Sequence, residues 1–145
     1  MVQVLGVDHI VIRVSDYEKS KAFYGRLFGF LGFEMIGGFR DMTGWRNGTT
    51  AFWIAPCDSS SPPRRRREND TGLHHYALEL ASRADVDQLQ AFLAANEIDI
   101  VDPAGEYYED YYAVYFLDPD GVKLEGMTFG PGHRHGCRRK DSGGC

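Results

Sequence analysis

The sequence predicts an α+β protein made of two βαβββ modules, and three observations predict it. Segments with period-two alternation and β-branched residues are interleaved with segments of helical period, in the order strand, helix, three strands. The same order recurs after a spacer, with a period of about 66 residues. Finally, "YFLDPDGVKLEG", from Tyr115 to Gly126, reads as two strands joined by a tight Asp-Pro-Asp-Gly turn, in which proline presets φ and glycine supplies the permissive position.

In the first module, "VDHIVIRV" alternates and predicts a strand from about Val7 to Val14. "SDYEKSKAFYGRLFGFLG" opens on Ser15 or Asp16 as helix N-cap, and Tyr17, Ala22, Phe23, Leu27 and Phe30 recur at helical spacing. "FEMIGGF", the region around "RDMTGW" and "TTAFWIAP" read as three further strands separated by glycine-containing turns. In the second module, "LHHYALEL" is a strand and "SRADVDQLQAFLAANE" a helix with Leu89, Phe92 and Leu93 on one face and Val86 alongside. "IDIVD", "YYAVYFL" and "VKLEGMTF" complete it. The modules span about 6–56 and 73–129 of one domain, with a linker at 57–72 and a flexible tail at 130–145 of low apolar content.

Composition narrows the function classes. The chain has 145 residues, a net charge of −5 and three cysteines. No apolar run approaches the ~20 residues that span a bilayer. The N-terminus lacks the basic start and cleavage site of a signal peptide, so a soluble, cytoplasmic protein without membrane association is expected. The net negative charge argues against nucleic-acid binding, although Arg64 to Arg67 form one basic run in loop composition, read as a solvated linker. His133, His135 and Cys137 sit in the tail, a poor setting for a dedicated metal site.

The repeat draws attention to three residues. It lays Asp8 to Val14 over His74 to Leu80 and so places His9 on His75. On the last strand Lys123, Glu125 and Met127 share one face, which puts a carboxylate beside a methionine. If that face is inward, the charge needs a partner. Counting from the turn glycine, the position of Glu125 in the first module is Phe52.

"DHIVIRVSD", "SKAFYGRLFGF", "GLHHYALEL" and "YFLDPDGVKLE", in this order over about residues 6 to 129, resemble the vicinal oxygen chelate superfamily. That group includes glyoxalase I, fosfomycin-resistance thiol transferases, methylmalonyl-CoA epimerase, extradiol dioxygenases and bleomycin-binding proteins. The resemblance implies paired modules curled into a half-open sheet around a divalent metal, often in a homodimer, with a small-molecule substrate or ligand. It implies His9, His75 and Glu125 as metal ligands, a set compatible with Fe(II), Mn(II), Ni(II) or Zn(II). His74, next to His75, is expected on the opposite strand face and is excluded as a ligand.

Departures from the subfamilies shape the expected chemistry. Glyoxalase I uses a fourth protein ligand where this chain has Phe52, which can neither ligate nor move a proton. The same absence weakens an epimerase reading, which needs a positioned base. The extradiol dioxygenase signature fits from Val114 and Tyr115 to Glu125, but its histidine falls on Glu106 to Tyr108. Fosfomycin-type transferases share the ligand set and a tyrosine at Tyr115, but Val11 stands where they have threonine, and Arg134 is only loosely placed for a phosphonate. The expectation is a metal-dependent, glyoxalase-like lyase or isomerase acting on a small oxygenated metabolite, with Tyr115 and Glu125 catalytic. "EYYEDYY", Glu106 to Tyr112, is read as a loop over the cleft, and Trp45, Trp53 and Phe52 as the floor of an apolar pocket. The competing class is a bleomycin-resistance-like binding protein without catalysis.

Overall fold

The structure, a computed structural model, describes residues 2–48, 50–58 and 65–130. Arg64, Arg134, His133, His135 and Cys137, with the rest of the expected tail beyond Gly130, lie outside the described residues. The chain divides into two compact units, residues 1–66 and 67–145. Among the described residues each unit holds one helix and one open four-stranded mixed sheet, which is the α+β, βαβββ organisation expected.

In the first unit the elements are β1 (His9–Val14), α1 (Tyr17–Phe30), β2 (Glu34–Phe39), β3 (Met42–Asn47) and β4 (Thr50–Pro56). The sheet order is β1-β4-β3-β2, with β1 and β4 parallel and the other pairs antiparallel. Asp16, not Ser15, caps α1: its side chain accepts a hydrogen bond from Lys19 N at 3.0 Å. The buried face of α1 is Ser20, Phe23, Tyr24, Leu27 and Phe28, which corrects the expected stripe. Ala22 and Phe30 are exposed, and Tyr17 sits at the margin, its hydroxyl 2.6 Å from Thr43 Oγ1. Tyr24 and Phe28 are the rings the apolar count passed over, and together they hold the core. Tyr24 packs 5.1 Å from Phe52, and Phe28 5.5 Å from Trp45, between ring centroids.

In the second unit the elements are β5 (His75–Glu79), α2 (Arg83–Ala95), β6 (Ile100–Tyr108), β7 (Tyr111–Leu117) and β8 (Lys123–Phe129), in sheet order β5-β8-β7-β6. Ser82 caps α2 by accepting from Asp85 N at 3.2 Å. Val86, Leu89 and Leu93 are buried as the periodicity predicts, while Phe92 is only half-buried. Gly126 lets the helix approach the sheet, since a Cβ there would stand 2.3 Å from Leu89 Cδ2. The Asp-Pro-Asp-Gly turn is tied by Asp118, whose Oδ1 accepts from Asp120 N at 2.9 Å and Val122 N at 2.7 Å.

The stretch expected as a loop over the cleft is the tip of the β6–β7 hairpin. Tyr108 pairs with Tyr111, and Asp110 takes a φ of 56° in the turn. Alternation had stopped at Pro103, but β6 is an edge strand, where a residue without N–H is tolerated at a register shift.

Register also corrects the internal correspondence. His75 pairs with Lys123 and Ala77 with Glu125; His9 pairs with Ala51 and Val11 with Trp53. The counterpart of Glu125 is therefore Trp53, not Phe52, which faces α1. The hairpin count slips by one because two positions of sequence separate the paired Asn47 and Thr50, whereas five separate the paired Leu117 and Lys123.

Candidate metal centre

On β8, Leu124 and Gly126 face α2, so Glu125 and Lys123 face the other side of the sheet. The parallel register puts His75 on that side too. Glu125 is 1% exposed, and its Oε2 lies 3.0 Å from His75 Nε2. Its Oε1 accepts a hydrogen bond from the Tyr111 hydroxyl. Tyr115, paired with Glu125 across the ladder, completes the surroundings. The carboxylate on the apolar strand is thus met by an imidazole and two phenols.

Burial, followed by its hydrogen bond to Glu125, pushes the Tyr115 phenol up to about 12, and the same two causes push Tyr111 up further. Both hydroxyls are therefore neutral donors near pH 7. The Tyr115 ring lies edge-on to Tyr107 at 5.3 Å and to His75 at 6.2 Å, with Lys123 Nζ 5.0 Å from its centroid. Lys123 is held in turn by Glu68 at 3.0 Å and Asp102 at 3.8 Å. Its hydrogen bond draws the Glu68 carboxyl below the usual range.

His74 corrects the sequence reading. It precedes β5, so strand alternation does not govern it, and its Nδ1 lies 2.6 Å from Nδ1 of His75. Sequence reasoning placed Tyr111 both at the start of the strand "YYAVYFL" and in the loop "EYYEDYY", and missed its role beside Glu125. Tyr111 and Tyr115 are four residues apart on one strand and so share a face, a signal already available in the expected strand "YYAVYFL". Alternation placed Lys123 on the face of Glu125, but nothing in the pattern marked its ion pairs with Glu68 and Asp102.

In the first unit His9 is exposed on β1, on the face away from α1, and its Nδ1 lies 2.8 Å from Asp8 Oδ2. That hydrogen bond lowers the Asp8 pKa. With Nδ1–H directed at a carboxylate, the His9 Nε2 lone pair is left free for a ligand, the arrangement common behind metal-binding imidazoles. Trp53 lies across Gly44, where a Cβ would be 2.5 Å from the indole, and Gly44 holds the register position that Tyr115 holds in the second unit. Trp45 and Phe52 are buried against α1, so the expected pocket floor is split between two faces of the sheet.

Within neither unit do three His, Cys, Asp or Glu side chains cluster among the described residues. The donors themselves fit a first-row divalent cation: imidazole nitrogens and a dry carboxylate, with His75 and Glu125 already facing each other. The described residues include no helix long and apolar enough to cross a membrane.

Residues 6–125 match the family model Glyoxalase/Bleomycin resistance protein/Dioxygenase superfamily. Among curated proteins, the chain is 32% identical to YaeR of Escherichia coli strain K12, over 82% of this chain and 92% of that protein. It is 29% identical to the metallothiol transferase FosB of Lysinibacillus sphaericus, over 86% of this chain and 83% of the relative. Among solved structures, a candidate glyoxalase from Bacillus halodurans superposes with a TM-score of 0.73 at 27% identity, covering 84% of this chain and 94% of that one.

Proposed function

The chain belongs to the glyoxalase/bleomycin resistance protein/dioxygenase superfamily, and from that premise we propose that it is a metal-dependent enzyme of glyoxalase-like lyase or isomerase chemistry on a small oxygenated metabolite. The observation that carries the proposal is the buried Glu125 carboxylate facing His75 Nε2 at 3.0 Å on the sheet face away from α2. A carboxylate that dry is costly unless a positive partner meets it, and a cation between it and His75 is such a partner.

In this proposal His75 and Glu125 hold the cation together with His9, supplied by this chain or by a second copy in a homodimer. The chemistry such a cation supplies is Lewis-acid polarisation of two adjacent substrate oxygens. Tyr111 fixes the Glu125 carboxylate by donating to Oε1, leaving Oε2 for coordination. Tyr115, neutral and edge-packed, has one hydroxyl hydrogen, which turns from Glu125 to an oxygen on which negative charge develops. Glu125 acts as ligand and, after burial, as the second cause that keeps both phenols protonated. Trp53, at the register position of Glu125, adds neither ligand nor base.

Metal analysis of the purified full chain, beside His9→Ala, His75→Ala and Glu125→Ala, tests the reading. About one equivalent in the wild type, lost in each variant, supports it. Equal metal in all four proteins, or none after reloading, overturns it and favours a binding protein without catalysis. Similarity to the metallothiol transferase FosB favours a second reading, transfer of a thiol to a metal-bound substrate. Thiol-dependent substrate loss on the loaded enzyme separates the two.

A further inference from the structure

The contact between His74 and His75 has no role in the site described above. Their Nδ1 atoms lie 2.6 Å apart, and two bare nitrogens repel at that distance, so one of the pair carries the hydrogen and the other accepts it. Two arrangements of the neutral pair satisfy the contact. In one, His74 Nδ1–H donates, His75 Nδ1 is bare and His75 carries its hydrogen on Nε2. In the other, His75 Nδ1–H donates, His74 carries its hydrogen on Nε2 and His75 Nε2 presents a lone pair.

Two carboxylates pull on this choice from opposite ends. Glu125 Oε2, 3.0 Å from His75 Nε2, accepts a hydrogen there and favours the first arrangement. Glu68 Oε1 lies 3.9 Å from His74 Nε2, prefers a hydrogen facing it and favours the second. A cation between His75 and Glu125 removes the first preference, because it takes the lone pair of Nε2.

We infer that His74 is a positioning residue that sets which nitrogen of His75 bears hydrogen, so that filling the site with a divalent cation switches both rings from the first arrangement to the second. The two ring hydrogens of the pair are conserved in number. One passes from His74 Nδ1 to His75 Nδ1 along the short contact. The hydrogen leaving His75 Nε2 goes to water, so that Glu125 stays anionic, and His74 Nε2 takes one from the solvent beside Glu68. The part of this inference that concerns metal rests on the proposed cation site; the tautomer of the metal-free pair does not.

The test is ¹⁵N spectroscopy of the imidazoles in the full chain, first stripped with EDTA and then loaded with Zn(II), with His74→Phe and His75→Phe variants assigning the signals. In stripped protein His74 is expected as the Nδ1–H form, which a free exposed histidine disfavours. On loading it is expected to convert to Nε2–H as His75 becomes Nδ1–H. His74→Phe is expected to weaken Zn(II) binding about tenfold and His74→Asn, whose amide oxygen accepts from Nδ1–H, to restore most of it. A stripped protein in which His74 stays mainly Nε2–H overturns the inference. So does a His74→Phe variant that binds Zn(II) as the wild type does. If Zn(II) fails to bind while His74 is Nδ1–H, the cation site falls and the positioning of His75 stands.

Discussion

Glu125 Oε2 and His75 Nε2 lie 3.0 Å apart although a helix and two strands separate them in the chain. Glu125→Gln preserves the shape and the acceptor for Tyr111 but replaces an anionic ligand by a weak neutral one. The expected outcome is a melting temperature within about 5 °C of wild type and bound metal reduced at least about tenfold. Calorimetry and elemental analysis of the same preparation check both.

Tyr111 donates to a nearly fully buried carboxylate. Tyr111→Phe removes the donor and leaves the charge, so it is expected to destabilise by about 1.5–3 kcal/mol, the range for a hydrogen bond to a charged group. Urea unfolding of metal-free protein, with a lower midpoint and an unchanged slope, is the measurement.

The alkaline limb of stability has a defined window. Tyr115 ionises at about 12 in the folded protein against 10.0 ordinarily. As pH rises the unfolded chain loses this proton first, so the contribution is complete below the lower value and is lost across the interval between the two. Tyr115→Phe is expected to flatten part of the decline in stability from 10.0 to about 12. A slope equal to wild type in EDTA-treated protein would refute this.

Gly126 and Leu89 are coupled by close approach. Gly126→Ala is expected to cost about 1–3 kcal/mol by overpacking, and Leu89→Ala about 2–5 kcal/mol by cavity formation. Because the new methyl enters space that Leu89 vacates, the double variant is expected to fall short of the sum by at least about 1 kcal/mol. A denaturation cycle measures the difference.

The module order and both helices were legible because each helix carries a periodic stripe and each N-cap a side-chain oxygen. His75 and Glu125 were legible as a pair because the repeat singled out the histidine and strand alternation placed the carboxylate. What escaped was whatever depends on pairing between strands. The one-residue slip that substituted Phe52 for Trp53 lies in the unequal turns, which strand periodicity does not register. The role of Tyr111 was hidden because the turn at Asp110, with a φ of 56°, lies inside the tyrosine-rich run from Glu106 to Tyr112, which reads as one loop although the strand begins at Tyr111. His74 escaped because alternation was extended back to Leu73, two residues before the strand begins.

The parallel pairing of β5 with β8 also fixes when the second unit can close. His75 and Glu125 stand fifty positions apart, so at typical synthesis rates a nascent chain exposes the histidine roughly 3–10 s before the glutamate. During that interval β5 lacks its neighbour in the sheet, since β8 follows β6 and β7 in the chain. Any ligand that needs both side chains therefore meets a unit that has already closed, and it prolongs the life of the folded form by slowing its opening, without speeding its formation.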